Sequence, residues 1–243
     1  MRVLGIDIGG SGVKGAPVDT RRGVLLERRQ RIVTPKPATP EAVVEVVGDI
    51  VESFKWKGVV GVGFPGVVKR GVTLTAINLD PRWVDVDADA LFTDKLGLSV
   101  HLINDADAAG LAEMKFGAGK DRKGVVILVT LGTGLGTALF LDGKLLPNTE
   151  LGHIEMNGKD AEIQAAERVR IQSNLSWKKW AKRLDDYLAR LEFYLRPDLV
   201  ILGGGASSDA ERFIPRLNRQ VEVVPAKLLN EAGIVGAALA FET

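Results

Sequence analysis

Twice in this chain a run of apolar β-forming residues stops at a glycine-rich turn and then resumes. The two segments are Asp7-Ile8-Gly9-Gly10-Ser11-Gly12-Val13-Lys14 and Thr130-Leu131-Gly132-Thr133-Gly134-Leu135-Gly136-Thr137. That punctuation commits each to a hairpin of two strands joined by a tight loop. Glycine has no Cβ, so successive backbone N–H groups can turn toward an anion at close range, and Ser or Thr hydroxyls at the tip add neutral donors. Two such loops would grip a row of phosphates. Asn104-Asp105 lies between them in sequence, at the end of an apolar run where a strand would deliver a carboxylate. The layout is that of a phosphotransferase.

A length of 243 residues is enough for two lobes. Hydrophobic residues make up 46% and charged residues 26%, as in a globular enzyme, and no apolar run approaches the ~20 residues of a membrane span. Met1 leads directly into the first strand, so no signal peptide is read and a cytoplasmic location is expected. With no cysteine, disulfides, thiolate zinc sites and a cysteine nucleophile are excluded. A net charge of +1 and a pI near 7.9 give no reason to expect nucleic-acid or membrane binding. Any polyanion would need a local patch. Lys115, Lys120, Arg122 and Lys123, ahead of the second glycine turn, form one candidate patch and read equally as a solvated charged loop.

Along the chain, Arg2–Ile8 reads as a buried strand with Val13–Val18 and Val24–Ile32 as antiparallel partners. Thr39-Pro40 starts a helix with a capping hydroxyl and proline in its first turn, and Val43, Val47, Ile50, Val51 and Phe54 share its apolar face. Strands are read at 58–63 and 100–103, and a helix from Asp105 through Met114. The pattern then repeats, with strands at 125–130 and 137–141 around the second glycine turn. A long helix follows Ser176, a strand spans 198–202 before Gly203-Gly204-Gly205, and a closing helix spans 231–241. This recurrence suggests two related α/β lobes, 1–104 joined by the closing helix 231–243, and 105–230. Asp7, at a strand end before a phosphate-cradling turn, suits Mg²⁺ held through water, because hard oxygen ligands fit that ion. The turns match neither the Walker P-loop nor the dinucleotide fingerprint.

Taken in order, Asp7-Ile8-Gly9-Gly10-Ser11-Gly12-Val13-Lys14-Gly15, Asn104-Asp105-Ala106-Asp107-Ala108, Leu131-Gly132-Thr133-Gly134-Leu135-Gly136, Glu150-Leu151-Gly152-His153 and Gly203-Gly204-Gly205 resemble the sugar-kinase branch of the ROK family (repressors, open reading frames, kinases). Within it the polyphosphate-using glucokinases are the nearest in pattern, and the likeness runs over nearly the whole chain. The resemblance implies an α/β, actin-like (hexokinase-like, ribonuclease-H-type) two-lobe fold with an interlobe active-site cleft. It also implies transfer of a phosphoryl group from polyphosphate, ATP or both to the 6-hydroxyl of glucose.

By the same resemblance Asp105 is the catalytic base. A carboxylate is already ionised at neutral pH, with an ordinary pKa of about 3.9, and can take the hydroxyl proton as the oxygen attacks phosphorus. The competing reading of Asp105 is a helix N-cap, and Asp107 reads as compensation of the helix dipole. Asn78, Asn104, Asp105, Glu150, His153 and Glu162 correspond to glucose ligands. Asp7, Gly9, Gly10, Ser11, Gly12, Lys14, Gly132, Thr133, Gly134, Gly204 and Gly205 correspond to the donor site, the last two in the family's adenosine-site turn. The family's zinc site is expected to be absent, since its cysteines are missing here. A homodimer is implied. The alternatives are a strictly ATP-dependent glucokinase or other hexose kinase, and a non-catalytic sugar sensor. A family repressor would need a helix-turn-helix ahead of the first strand.

Overall fold

In the computed structural model residues 1–242 are described. They form two compact units: Met1–Ala112 together with the stretch from Glu231 onward, and Glu113–Asn230.

The first unit is built on the strands β1 (Arg2–Gly9), β2 (Gly12–Asp19), β3 (Val24–Leu25) and β4 (Gln30–Ile32). β1 and β2 are antiparallel through the first glycine turn, with Asp7 opposite Lys14. The expected edge strand over 24–32 is instead two short pieces, both paired to β2. Their gap faces Ala16-Pro17, where proline has no N–H to give the ladder, and the charged residues Glu27 and Arg28 stay exposed. Helix α1 (Pro40–Ser53) is capped by Thr39, whose hydroxyl accepts from the Ala42 N–H at 3.2 Å, and it buries Val43, Val44, Val47, Ile50 and Val51. β5 (Val60–Phe64) adds parallel to β1 with all five residues buried, as a strand covered on both faces must be.

The segment after β5 holds elements not read from sequence. β6 (Val68–Lys69), β7 (Val72–Thr73) and β8 (Val86–Asp87) form a three-stranded sheet, and α2 (Ala88–Leu96) follows. They pack around Trp83, fully buried between Phe64 and Phe92, with its indole N–H donating to the Ala38 carbonyl at 3.0 Å. β9 (Val100–Asn104) then completes the main sheet and runs straight into α3 (Asp105–Phe116), so the division between the units falls inside α3.

In the second unit the plan is repeated. β10 (Val125–Leu131) and β11 (Leu135–Leu141) form the hairpin of the second glycine turn, and β12 (Lys144–Leu146) extends it. A small hairpin, β13 (Glu155–Met156) with β14 (Lys159–Asp160), leads into the short helices α4 (Glu162–Ala165) and α5 (Glu167–Gln172). The long helix α6 (Trp177–Leu195) follows its Ser176 cap, and β15 (Leu199–Gly203) and β16 (Glu222–Pro225) add parallel to β10. The sheet orders are β3-β2-β1-β5-β9 and β12-β11-β10-β15-β16. Each is a hairpin extended by two parallel strands, which is the recurrence legible in the sequence.

Helix α7 (Ala232–Leu239) returns the chain to the first unit and is apolar all round, with seven of its eight residues buried. Close approach explains its Gly and Ala content. A Cβ at Gly5 of β1 would collide with the Ile234 carbonyl, and one at Gly61 of β5 with that of Ala237, so the helix backbone lies directly on the sheet.

The stripe Trp180, Leu184, Tyr187, Leu188 and Leu191 of α6 is core, as its spacing predicts. The Tyr187 hydroxyl is buried with no hydrogen-bond partner among the described residues. An unsatisfied buried hydroxyl costs about 1–3 kcal/mol. Tyr187→Phe is therefore expected to leave thermal stability unchanged or raise it, by up to about 1 kcal/mol. A clear drop in melting temperature would contradict this.

Candidate active site

At the first glycine turn, Asp7, Lys14 and Arg31 form a row across β1, β2 and β4, since Asp7 faces Lys14 and Lys14 faces Arg31. Lys14 Nζ lies 3.1 Å from Asp7 Oδ2. Arg31 donates to the Ser11 carbonyl at 3.1 Å, and its guanidinium lies within 3 Å of where a Cβ would stand on Gly12. Any side chain at 12 would displace it. Two cations facing each other across paired strands repel. Asp7 offsets Lys14, and Arg31 carries the excess charge at the mouth of the turn. Thr34 Oγ1 donates to the Gly9 carbonyl at 2.5 Å, and Asn78 lies against Gly10. Gly9, Gly10 and Ser11 remain at least partly accessible.

Asp105 is the first residue of α3 and half-buried. The capping role belongs to its neighbour. Asn104 Oδ1 accepts the N–H groups of Ala106 at 2.9 Å and Asp107 at 3.0 Å, while its Nδ2 donates to the Gly66 carbonyl at 3.0 Å. Asn104 is buried and committed at both ends of its amide. Asp105 Oδ1 accepts from the Ala106 N–H at 2.8 Å. The register Asp7–Gly63–Ile103 puts Asp7 and Asp105 at the same, C-terminal edge of the sheet, with only β5 between their strands. Two strand spacings make this about 10 Å. Asp107 is fully buried in the first turn of α3.

In the second unit Glu162 is tied to the second glycine turn. Its Oε2 accepts the Leu135 N–H at 3.0 Å and would collide with any Cβ on Gly134. Arg168 lies 3.7 Å from Glu162 Oε1, and its backbone N–H donates to the Gly132 carbonyl at 3.0 Å. The Gly132 N–H is spent on the Gly134 carbonyl at 3.1 Å, so the N–H groups this turn offers an anion are those of Thr133 and Gly134.

His153 sits nearby, its Nδ1 2.7 Å from Asp160 Oδ2 and its Nε2 3.7 Å from Glu150 Oε2. Asp160 Oδ1 also accepts the Glu162 N–H at 2.7 Å. Sequence reasoning brought Glu150, His153 and Glu162 together and missed Asp160, Arg168 and Arg31. For Asp160 a signal was available: Asn157-Gly158 between two short β-like runs marks a two-residue hairpin that returns the chain to His153.

The turn after β15 backs directly onto the second glycine turn. Gly204 has φ +76°, and a Cβ there would lie 2.5 Å from the Leu131 backbone, so both conformation and packing demand glycine. Ser207 and Ser208 hydroxyls close the turn onto the carbonyls of Gly204 and Gly205 at 2.7 and 3.0 Å. Lys120, Arg122 and Lys123, by contrast, precede β10 and so lie at its opposite end from the second glycine turn. The length of β10 separates them by about 20 Å. Arg122 is moreover paired with Glu222 at 2.8 Å. As a donor patch for the second glycine turn these three residues are misplaced.

No group of three or more His, Asp or Glu side chains among the described residues is arranged to hold a metal ion. Nor is any helix there long and apolar enough to cross a membrane.

This geometry has close counterparts. The chain is 48% identical over 238 residues, 98% of its length and 90% of the relative's, to a polyphosphate glucokinase of Mycobacterium tuberculosis. The crystal structure of an inorganic polyphosphate/ATP-glucomannokinase from Arthrobacter sp. strain KM superposes with a TM-score of 0.97 at 47% identity, covering 100% of this chain and 99% of that one. A ROK family glucokinase from Streptomyces griseus, in complex with glucose and AMPPNP, gives a TM-score of 0.86 at 27% identity with both chains fully covered. Residues 3–165 match the ROK family model, and the chain belongs to the ROK family.

Proposed function

We propose that this chain is a polyphosphate glucokinase, transferring a phosphoryl group from inorganic polyphosphate, with ATP as a second donor, to the 6-hydroxyl of glucose. The observation that carries this is the 48% identity to a polyphosphate glucokinase over 98% of the chain. In this reading the sugar is held by Asn78, Glu150, His153 and Glu162 and by the second Nδ2 hydrogen of Asn104, whose other amide groups are taken by α3 and Gly66, with Asp105 at the reacting hydroxyl. Asp105 takes the hydroxyl proton as the sugar oxygen bonds to phosphorus. The bond from phosphorus to the donor's bridging oxygen breaks, and its electron pair stays with the shortened donor. Positioning supplies most of the acceleration in so loose a transition state.

The donor lies along Gly9, Gly10, Ser11, Gly12 and Lys14 and along Thr133 and Gly134, with Gly132 shaping the second turn and Gly204-Gly205 extending the floor. Asp7 would hold Mg²⁺ through water by Oδ1, its Oδ2 being paired with Lys14 Nζ at 3.1 Å, as one carboxylate beside substrate phosphates. The chemistry Mg²⁺ supplies when bound is neutralisation of the donor oxygens. A cytoplasmic homodimer is part of the same proposal. Mannose is the second acceptor to try, because the Arthrobacter counterpart is a glucomannokinase.

The test is glucose 6-phosphate formation with polyphosphate or ATP supplied separately. Activity with polyphosphate is expected, and its absence with every donor would reduce the protein to a sugar sensor. Arg31→Ala should raise the polyphosphate KM about tenfold, through loss of a charge-assisted contact. Neutralising Lys120, Arg122 and Lys123 together should leave the ratio of polyphosphate to ATP use unchanged. The reverse pattern would move the donor path away from the first turn.

A further inference from the structure

Asp160 uses its two carboxylate oxygens for two tasks, Oδ1 accepting the Glu162 N–H and Oδ2 meeting Nδ1 of His153, each at 2.7 Å. It is carried there by the β13–β14 hairpin, whose turn residues Asn157 and Gly158 have φ +52° and +74° and whose register sets Asp160 opposite Glu155. The Gln164 amide donates to the carbonyls of Met156, Lys159 and Asp160 at 2.7, 3.1 and 3.2 Å, which fastens the hairpin to α4. The other charged groups acting on the imidazole are Glu150 and Glu162, and Glu162 is paired with Arg168.

We propose that Asp160 is a positioning residue for sugar recognition: by holding Nδ1–H of His153 it fixes the ring so that Nε2 and the Glu150 carboxylate address one sugar hydroxyl from two sides. This rests on the reading of Glu150 and His153 as sugar ligands. The 3.7 Å between Nε2 and Glu150 Oε2 is too long for a good hydrogen bond, and a hydroxyl oxygen can reach both. With the ring charged, Nε2–H donates to that hydroxyl and the hydroxyl donates to Glu150.

Partial burial works to lower the pKa of His153. The hydrogen bond and charge of Asp160, with Glu162 and Glu150 adding, outweigh it, and the net shift is upward. The ring therefore stays charged to a higher pH than an ordinary histidine. When it does lose a proton, Asp160 retains the one on Nδ1. Nε2 then becomes an acceptor, and the hydroxyl's single proton faces two acceptors. Glucose affinity should fall as pH rises through the pKa of His153.

Asp160→Asn inverts this polarity. The Glu162 N–H claims the amide oxygen, the NH₂ faces Nδ1, and the neutral ring carries its proton on Nε2 instead. The chain has only two histidines, so imidazole ¹⁵N spectra of the unliganded protein, with His101→Gln to assign them, read the tautomer directly. We expect Nδ1–H in the wild type, Nε2–H and a lower His153 pKa in Asp160→Asn, and about tenfold weaker glucose binding by calorimetry near pH 6.5 with the alkaline fall removed. His153→Gln should likewise bind glucose with no pH dependence, whether or not Asp160→Asn folds. An Nε2–H tautomer in the wild type, or glucose affinity flat with pH in the wild type, overturns the proposal. Neither readout requires phosphate transfer, so failure here is separable from failure of the kinase reading.

Discussion

Asp105→Asn is expected to lower the rate of glucose 6-phosphate formation by about 10²- to 10⁴-fold, the usual contribution of a positioned general base, while glucose binding stays within a few-fold of wild type. The substitution keeps the size of the side chain and removes its charge and its capacity to take a proton. Asn104, not Asp105, caps α3 through its bonds to the Ala106 and Asp107 N–H groups, so the helix keeps its start. The bond from the Ala106 N–H to Asp105 Oδ1 can be kept by an amide oxygen. Melting temperature should therefore change little. Steady-state rates with saturating polyphosphate, alongside glucose titration, check both halves. Undiminished turnover would remove Asp105 from the chemistry.

The largest stability effect is expected at Glu113, a position with no part in the proposed reaction. Its carboxylate is fully buried and accepts the N–H groups of Ala118 at 2.8 Å, Lys227 at 3.1 Å and Leu228 at 2.7 Å. One side chain thereby satisfies the end of α3 and the loop after β16, segments more than a hundred residues apart in sequence. Glu113→Ala would orphan three backbone donors, each worth about 1–3 kcal/mol when buried. A loss of about 4 kcal/mol is expected after partial relaxation, or on the order of 10 °C in melting temperature for a chain of this size. Glu113→Gln, which keeps one acceptor oxygen, should fall between. Amide exchange should quicken first at 118, 227 and 228. A melting temperature within 2 °C of wild type would mean that water takes over those donors.

How far the structure was legible depends on the range of the interactions that set each element. α1 and α6 were readable because their signals are local: a hydroxyl cap at Thr39 or Ser176, then apolar residues at helical spacing. The hairpins β1–β2 and β10–β11 were readable because glycine clusters separate apolar runs. Strands β6, β7, β12, β13 and β14 went unread although each pair carries a local signal. Arg70-Gly71, Asp142-Gly143 and Asn157-Gly158 all have two successive positive φ angles, the conformation of the two-residue hairpin turn. Strands of two or three residues are too short to show an alternation, so the turn was the only available mark. β16 had no such mark, since Glu222–Pro225 is a strand solely because β15 offers it an edge.

From its residues alone this chain determined two glycine-turn hairpins, the helices that cover them, the acidic residue at the start of α3 and its family resemblance, because each is written in contiguous spacing. Tertiary structure decided which charges stand at those turns. Arg31 was brought beside Gly12 by strand pairing, Asp160 to His153 by a hairpin, and Lys120, Arg122 and Lys123 were left at the far end of β10. Electrostatic and hydrogen-bonding roles fall off over a few ångströms, and which residues come within that distance is set by register and topology, not by nearness in sequence.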